Sequence, residues 1–431
     1  MAREMKDSGI AWIGIIPETW DIIKFKYVFS IIGGNGFPDS LQGNTQGDYP
    51  FCKVSDINGQ SEYVKTATNW VTQEIVDINK FNIIPPNSIL MAKIGAALAK
   101  NHRKINVLKC CIDNNTQALV LKRNDSIRYL FYLSKCLDMS WFDNNSTVPS
   151  INNNRLLNFF IPNISYNEQE KISSYLDIQC TRIDAVMEQT RASIEEYKKL
   201  KQAVITQAVT KGIQSNRPMK DSGVDWLGKV PADWNVYRIA NLYDERNESG
   251  EDSLPILSVS INTGISDHEV ADEEQARVFV RSEDKTKYKR VYPGDLAYNM
   301  MRAWQGAFGA VRVDGMVSPA YVVAKPKKHG VLDSRYMEAL LRTPSAIEEM
   351  HRYSHGITDF RLRLYWPEFK NIRVCVPTIE EQIEIADYID IKSAEIDALI
   401  TKKELLLSEL ETYKKSLVYE YVTGKKEIID L

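Results

Sequence analysis

The amino-acid sequence contains one segment twice, and this internal repeat constrains the fold more than any other feature. Residues 5–20 read MKDSGIAWIGIIPETW and residues 219–234 read MKDSGVDWLGKVPADW, so nine of sixteen positions are identical at an offset of 214. The shared glycines and prolines indicate an irregular backbone, and the shared tryptophans offer large apolar side chains that hold such a segment against a domain. A repeat at this long period predicts two copies of one structural unit.

Each copy continues into a predicted long helix. The helices begin at matching capping boxes, Ser165-x-x-Glu168 and Thr378-x-x-Glu381, each just after a proline. Neither proline nor glycine interrupts the chain before Gly212 in the first copy or Gly424 in the second. We therefore predict two helices of about 45 residues, each about 67 Å long at 1.5 Å per residue.

Apolar residues along both predicted helices alternate at the three-and-four spacing of a coiled-coil seam. The seam residues are Leu176, Ile183, Val186, Tyr197, Leu200 and Val204 in the first helix, and Ile389, Ile396, Leu399, Leu406, Leu410, Tyr413 and Leu417 in the second. Lys403 interrupts the second seam, and Thr190 occupies the equivalent position in the first. The shared polar layer favours pairing of the two helices with each other. The alternative is two surface helices, each packed on its own domain.

The regions between these elements, residues 21–164 and 235–377, resemble each other only weakly. Both are predicted to be mixed α/β, because short strand-like runs alternate with turn residues and short helices. The predicted strands include residues 118–121, 256–260 and 320–324, and the predicted helices include residues 128–137 and 334–341. The predicted fold is therefore two mixed α/β domains that alternate with two long helices.

Length and composition place the chain among multidomain globular proteins. Its 431 residues exceed the size of a single growing core, and 44% hydrophobic with 26% charged residues is ordinary for such proteins. No apolar run reaches the roughly 18 residues of a membrane helix, and the N-terminus lacks a signal-peptide core, so we expect a cytoplasmic protein. The six cysteines show no C-x-x-C spacing, from which we expect reduced thiols and no structural metal.

The formal net charge of -3 means that any surface that binds nucleic acid must be local. One candidate is the stretch between Asp77 and Asp113, which contains several lysines, Arg103 and His102 but no acidic residue. The alternative is a solvated face that happens to be basic.

The duplicated motifs D-S-G-x-x-W-x-G-x-x-P-x-x-W and E-Q-x-x-I-x-x-Y-[LI]-D resemble those of the specificity subunits of type I restriction-modification enzymes. The resemblance covers essentially the whole chain. It implies target recognition domains at residues 1–164 and 213–377, each reading one half of a bipartite, asymmetric DNA site. It also implies that residues 165–212 and 378–431 form an antiparallel pair of spacer helices.

The same resemblance implies partners. Two methyltransferase subunits would dock on the spacer helices, and two restriction/translocase subunits would join them to cut unmethylated DNA. The partners would use S-adenosylmethionine, and ATP with Mg for restriction, while this chain would bind no cofactor and catalyse no reaction. A subunit of a methylation-only system would have the same sequence features.

Residues that read bases have paired donors and acceptors, such as Arg for guanine and Asn or Gln for adenine, while Lys and Arg contacts to phosphate set position. We expect them in polar loops. The candidates in the first α/β region are Lys93, Lys100, Asn101, His102, Arg103, Asn152, Asn153, Asn154 and Arg155. Those in the second are Asn299, Arg302, Trp304, Gln305, and, within residues 355–363, Thr358, Arg361 and Arg363. For each, the alternative is a structural role, because asparagine runs are typical of turns and tryptophan of cores.

Two other classes of function have less support. A DNA methyltransferase or nuclease would carry an Asn-Pro-Pro-aromatic segment, a glycine-rich cofactor turn or a G-x-x-x-x-G-K-[ST] phosphate loop, and the sequence contains none of these in a convincing context. Glu283-Asp284-Lys285 has a nuclease-like spacing but is better interpreted as charged surface. A coiled-coil scaffold with two protein-binding domains would explain the helices, but not the two divergent α/β regions with polar loops.

Overall fold

The computed structural model describes residues 3–59, 61–144, 147–251, 253–261, 263–268, 287–356 and 362–428. The chain forms two compact units, Met1–Thr190 with Leu405–Leu431, and Arg191–Glu404. Each unit contains one α/β region and a part of both long helices. The domain bounds inferred from sequence treat the helices as separate segments, and those bounds stay a prediction.

The first unit is built around a mixed sheet. Its strands are β1 (Met5–Asp7), β2 (Ile15–Pro17), β3 (Asp21–Lys24), β4 (Phe29–Gly33), β5 (Tyr49–Cys52), β6 (Tyr63–Val64), β7 (Asn69–Val71), β8 (Ile89–Ala92), β9 (Arg103–Asn106), β10 (Cys111–Ile112), β11 (Thr116–Leu121) and β12 (Phe160–Asn163). The main sheet has the order β4-β11-β8-β9-β6, and β10-β5-β7 form a smaller one. All four residues of β8 are buried, as expected for a central strand.

Short helices cover this unit. They are α1 (Val54–Ile57), α2 (Gln73–Asn79), α3 (Ile127–Cys136) and α4 (Asn153–Leu157). Ser126 caps α3 by accepting a hydrogen bond from the Tyr129 N–H at 3.3 Å, and residues 129–134 of α3 are buried in the core. The predicted helix at 128–137 and strand at 118–121 are confirmed.

The second unit has a smaller sheet. Its strands are β13 (Met219–Asp221), β14 (Lys229–Pro231), β15 (Asn235–Arg238), β16 (Tyr243–Arg246), β17 (Val259–Ser260), β18 (Gly264–Ile265), β19 (Lys289–Val291), β20 (Leu296–Asn299), β21 (Phe308–Ala310), β22 (Gly315–Val317), β23 (Tyr321–Pro326) and β24 (Arg373–Val376). The main sheet has the order β16-β23-β20-β21. Of the predicted strand at 256–260 only the last two residues form a strand, β17. They pair with the two residues of β18, which offers no further residues for pairing.

The long helix α5 (Tyr166–Lys211) begins in the first unit, and its last residues belong to the second. The other helices of the second unit are α6 (Ile239–Leu242), α7 (Ser334–Leu341), α8 (Pro344–Arg352), α9 (Trp366–Phe369) and the first part of the long helix α10 (Ile379–Val422). The predicted helix at 334–341 is confirmed by α7.

Both long helices begin and end as predicted. Ser165 Oγ accepts from the Glu168 N–H at 3.3 Å, and Thr378 Oγ1 accepts from the Glu381 N–H at 3.4 Å. Gly212 follows α5 with a φ of 75°, a left-handed conformation that commonly ends helices. The resulting lengths of 46 and 44 residues confirm the sequence prediction.

Within each unit the two long helices run antiparallel. In the first unit, Lys414 Nζ lies 2.7 Å from Asp184 Oδ1. In the second, Lys201 Nζ lies 2.7 Å from Asp397 Oδ2, and Lys403 Nζ lies 5.7 Å from the centroid of the Tyr197 ring. In the second unit, therefore, contacts that move forward along α5 from Tyr197 to Lys201 move backward along α10 from Lys403 to Asp397. This is the antiparallel coiled coil expected from the sequence.

The predicted seam agrees with the structure only in part, because Leu176, Ile183, Ile389, Ile396 and Leu417 are at most 8% exposed but other predicted positions are not buried. Ile183 and Met187 are 8% and 6% exposed, whereas Val186 between them is 45% exposed. Val186 and Met187 are both apolar, so apolar spacing alone does not decide which of the two is buried. The predicted seam is wrong at exposed positions Val186, Leu200, Leu399, Leu406 and Tyr413.

The repeated segment forms the same hairpin in both units, β1 with β2 and β13 with β14. Each hairpin leads to a buried tryptophan at the start of a long helix, where Trp20 Nε1 donates to Glu168 Oε1 at 2.8 Å. The end of the other long helix also reaches the segment in the first unit, where Tyr419 donates its hydroxyl proton to the Trp12 oxygen at 2.8 Å. The segment therefore fastens an α/β region to both helices.

Candidate nucleic-acid interface

Two loops of the first unit meet at one end of its main sheet. Lys93 directly follows β8, and the loop that begins there leads to β9. The Ile151 N–H donates to the Lys93 carbonyl oxygen at 3.0 Å, which joins this loop to a second one that precedes α4. Residues 93–102 and the described residues of 143–152 thus form one surface, which we call loop pair 1.

The second unit has the same arrangement with different residues. Met300 follows β20 as Lys93 follows β8, and its carbonyl oxygen accepts from the Leu364 N–H at 2.9 Å. Residues 299–306 and the described residues of 353–364 are loop pair 2. Candidate residues that are far apart in sequence, such as Lys93 and Asn152 in the first unit and Arg302 and Arg363 in the second, therefore lie on loops that contact each other.

Loop pair 1 presents an electropositive group of side chains. Lys100 and His102 are exposed, and Lys93 is half-buried. Burial, and then the nearby charges of Lys100 and Lys104, lower the pKa of His102. Because burial and nearby positive charge disfavour the protonated imidazole, an approaching anion would favour its protonation. The group has the charge expected of a phosphate contact.

Arg103 is turned into the protein and is 5% exposed. Its Nη1 donates to the His102 backbone oxygen and its Nη2 donates to Asn101 Oδ1, both at 2.8 Å. Burial lowers the pKa of Arg103 to about 10. Asn101 in turn donates from Nδ2 to the Lys135 oxygen at 3.2 Å. The geometry therefore gives Arg103 and Asn101 a role in shaping the loop, and it does not support the predicted DNA contact of Arg103.

The asparagine run before β12 also has a structural role. Asn152 Oδ1 accepts from the Arg155 N–H at 3.0 Å and caps α4. Asn153 Oδ1 is buried and has no hydrogen-bond partner within the described ranges. Asn154 and Arg155 are exposed, and Arg155 Nη1 donates to the Asp143 oxygen at 3.1 Å. Asn154 and Arg155 are therefore the members of the run that are accessible to DNA.

In loop pair 2, Arg302, Gln305 and Arg363 are all exposed. Asn299 Oδ1 accepts from the Met301 N–H at 3.0 Å, so this predicted reading residue holds the turn that begins the loop. Exposed polar side chains on a turn fixed in this way can meet a ligand with little loss of conformational freedom.

Trp304 is half-buried beside the same loop. Its Nε1 donates to the Met301 oxygen at 3.0 Å, and its ring centroid lies 5.7 Å from that of His351. The ring therefore supports the loop, as in the structural alternative considered for it. Thr358 and Arg361, two further predicted contacts, lie outside the described residues, as does Glu283-Asp284-Lys285.

Sequence reasoning missed exposed residues that enter the surfaces only because the loops meet. Asn144 donates its N–H to the Ser150 oxygen at 2.9 Å and is exposed in loop pair 1. Met301 is 44% exposed in loop pair 2. The turn-forming Asp143 beside Asn144 was a signal for a loop, but nothing in the sequence indicated which other loop it would contact.

Within the described ranges, no three or more His, Cys, Asp or Glu residues are arranged to hold a metal ion. No helix in these ranges is long and apolar enough to span a membrane. All six cysteines are free, and five of them are buried.

Residues 17–196 match the family model described as type I restriction modification DNA specificity domain. The chain is 23% identical over 438 residues to the type I restriction enzyme MjaVIII specificity subunit of Methanocaldococcus jannaschii, covering 96% of this chain and 95% of that protein. It is 22% identical over 454 residues to the EcoBI specificity subunit of Escherichia coli, covering 98% and 90% of the two chains.

Two solved structures share the fold. One chain, from work on complex assembly and conformational transition of the type I R-M system, has a TM-score of 0.66 at 15% identity, covering 95% of this chain and 99% of that one. The HsdS subunit from Thermoanaerobacter tengcongensis has a TM-score of 0.52 at 14% identity, with 95% and 98% coverage.

Proposed function

Because the chain belongs to the family of type I restriction-modification specificity subunits, we propose that it reads a bipartite, asymmetric DNA site and directs adenine methylation and restriction by partner subunits. The observation that carries the proposal is the presence of one loop pair in each unit, joined by equivalent hydrogen bonds but bearing unlike side chains. Unlike reading surfaces on like frames suit two different half-sites, whereas identical surfaces would suit a palindrome.

The exposed side chains divide by chemistry. Lys93, Lys100 and His102 in loop pair 1 suit phosphate oxygens, which position a protein on the duplex. Asn154 in the first unit and Gln305 in the second can form the paired hydrogen bonds that distinguish adenine in the major groove. The local positive charge of these loops would serve DNA binding despite the net charge of -3.

We assign the long helices two tasks, spacing the half-sites and docking two methyltransferase subunits. Exposed apolar residues on both helices support the docking. In the first unit Leu405 and Tyr413 are 60% and 54% exposed, and in the second Leu200 and Leu399 are 49% and 40% exposed. Apolar side chains at such positions contribute little to either unit alone and suit a protein interface. Two restriction/translocase subunits would complete the assembly.

In this proposal the recognition domains are residues 1–164 and 213–377, and the spacer helices are residues 165–212 and 378–431. The chain itself performs no catalysis and binds no cofactor, and it acts in the cytoplasm. The methyltransferase subunits use S-adenosylmethionine, and the restriction subunits use ATP with Mg.

The test is to map methylated adenines across the genome of the source organism with the gene intact and with it deleted. Loss of one interrupted, asymmetric motif on deletion is the expected result. Persistence of every motif, in cells that express the protein, would contradict the proposal and favour a non-DNA scaffold, to be tested by identifying its bound partners.

A methylation-only system is the second candidate within the family. It predicts the same loss of a motif but no restriction of unmodified plasmid DNA that carries the site. Comparing transformation of modified and unmodified plasmid therefore separates the two forms of the proposal.

A further inference from the structure

Arg302 in loop pair 2 combines a fixed backbone with an exposed side chain. Its N–H donates to the Asn299 oxygen at 2.9 Å, and its own carbonyl oxygen accepts from Gln305 at 2.9 Å and Ala307 at 3.2 Å. The guanidinium makes no ion pair with any residue that the structure describes. Three backbone hydrogen bonds therefore fix the backbone from which this exposed side chain extends.

Arg363 lies beside it on the other loop. Arg363 and His355 exchange both backbone N–H···O bonds at 2.9 Å, and the next residue, Leu364, donates to the Met300 oxygen. The Arg363 side chain is exposed and likewise has no acidic partner within the described ranges. Since Met300 is two residues before Arg302, both arginines lie where the two loops meet.

Several arginines of this unit have acidic partners, whereas the exposed Arg238, Arg312 and Arg373, like Arg302 and Arg363, make no ion pair within the described ranges. Arg335 pairs with Asp333 and Asp387, and Arg246 pairs with Asp295. An arginine that stabilises the fold is expected to have such a partner, because charge neutralisation favours its ordered position. Arg302 and Arg363 are therefore available to a ligand, and what distinguishes them from the other unpaired arginines is their position on two loops that contact each other.

The first unit differs at the equivalent positions. The bond between Ile151 and Lys93 matches the bond between Leu364 and Met300, and counted along the chain from these bonds Gly95 takes the place of Arg302 and Ser150 that of Arg363. The backbones then diverge, because the Gly95 N–H donates to the Pro149 oxygen of the other loop, whereas the Arg302 N–H donates to Asn299 in its own loop. Of the guanidinium groups next to this surface, that of Arg103 is turned inward and that of the exposed Arg155 donates to the Asp143 oxygen at 3.1 Å. Loop pair 1 therefore has no arginine at the two places where loop pair 2 has one each.

From this difference we infer that Arg302 and Arg363 read guanine, and that the half-site bound by the second unit contains the G·C pairs that they contact. The planar guanidinium donates two parallel hydrogen bonds to guanine O6 and N7 in the major groove, a geometry that no other base pair offers. The half-site bound by the first unit is read without an arginine at these two positions. The inference rests on the proposed function and names the bases at one of its two sites.

The test uses the intact complex of the chain with its methyltransferase subunits and a set of duplexes in which each base pair of the site is changed in turn. For Arg302→Gln and Arg363→Gln we expect the preference for one G·C pair to fall by roughly 5- to 150-fold. Preferences in the other half-site stay unchanged. Arg302→Lys, which keeps the charge and removes the paired donors, is expected to lose the same preference.

Arg352→Gln is the matched control, because Arg352 is exposed on the same unit but pairs with Glu349 at 3.2 Å. It should leave every base preference unchanged. Suppose that the chain does determine a bipartite motif. The inference alone would then be overturned if both Gln variants kept every base preference, or if they lost affinity equally for all sequences. Absence of any such motif would contradict the proposed function instead.

Discussion

Trp234 donates its indole proton from Nε1 to Glu381 Oε2 at 2.9 Å, and Trp20 makes the equivalent bond to Glu168 Oε1 at 2.8 Å. Each glutamate lies in the first turn of a long helix, and each tryptophan closes a copy of the repeated segment. An arginine completes both clusters, and Arg217 pairs with Glu381. The repeat thus has a physical cause, since its tryptophans fasten the domains to the helices.

Removing this carboxylate is expected to destabilise the second unit. In Glu381→Ala, the Arg217 side chain, 11% exposed, loses one of its two acidic partners, and the buried Trp234 N–H loses its acceptor. We expect a decrease of about 1–3 kcal/mol in the free energy of unfolding, measured by urea denaturation. Glu384→Ala, at an exposed position one turn later, is the control, and an equal loss in both variants would refute the explanation.

The end of the second long helix gives a separate test of packing. Gly424 has a φ of 73°, and a Cβ atom there would lie 2.5 Å from Pro17 Cδ and 2.7 Å from Trp20 Cζ3. Gly9 has a φ of 70°, but a Cβ atom at this position would meet no described atom within 4 Å. Both alanine variants carry the strain of the left-handed backbone, so their difference isolates the steric clash.

We expect Gly424→Ala to lose about 1–3 kcal/mol more stability than Gly9→Ala, the usual range for overpacking. Thermal unfolding followed by circular dichroism measures the difference. Similar Tm values for both variants would mean that the helix end moves away from Trp20 without cost.

Lys100 is expected to contact a phosphate group rather than a base. Lys100→Ala should weaken binding to all sequences and reduce the slope of log K against log salt by about 0.9, as for the loss of one phosphate contact. Lys122→Ala is the control, because Lys122 is exposed in the same unit but lies at the other end of the sheet. It follows the last residue of β11, whereas the loop of Lys100 follows β8, which runs antiparallel to β11. A change in base preference in Lys100→Ala would contradict this assignment.

His102 should make DNA binding depend on pH. Burial and neighbouring cations lower its pKa in the free protein from 6.5, whereas a nearby phosphate would raise it. Binding then takes up a proton, so affinity is expected to rise as the pH falls from 7 towards the pKa of His102 in the complex. Titration of affinity against pH should show a smaller slope for His102→Gln, and equal slopes would exclude a phosphate next to His102.

The same lowered pKa has the opposite effect on folding. Because the unfolded state binds the proton more tightly, acidification through the same range favours unfolding. The stability of the free protein should therefore be measured at each pH, so that loss of folded protein is separated from the gain in affinity.

The long helices were predictable because their signals are local. Ser165 and Thr378 start them and Gly212 and Gly424 end them through hydrogen bonds and dihedral angles that involve only a few neighbouring residues. The exact residues of the seam were not predictable, because Val186 and Met187 are both apolar and only the position of the partner helix decides which of them is buried.

The recognition surfaces were predictable in part. Polar loops after buried strands were expected, and Lys100 and Arg302 are indeed exposed in such loops. The burial of Arg103 was missed, because all four residues of β9 are buried and no polar-apolar alternation marks the strand. The bond between Ile151 and Lys93 depends on strand order in the sheet, which the sequence does not display locally.

The first unit includes both ends of the chain, whereas the second is one continuous stretch, and this difference sets an order of folding during synthesis. The Tyr129 hydroxyl donates to the Val422 oxygen at 2.9 Å, so the core of the first unit needs residues that are made after the whole second unit. At about 5–20 residues per second, the N-terminal part waits roughly 10–40 s for them on the ribosome. A chain truncated after residue 404 and released from the ribosome should resist protease in the second unit and not in the first.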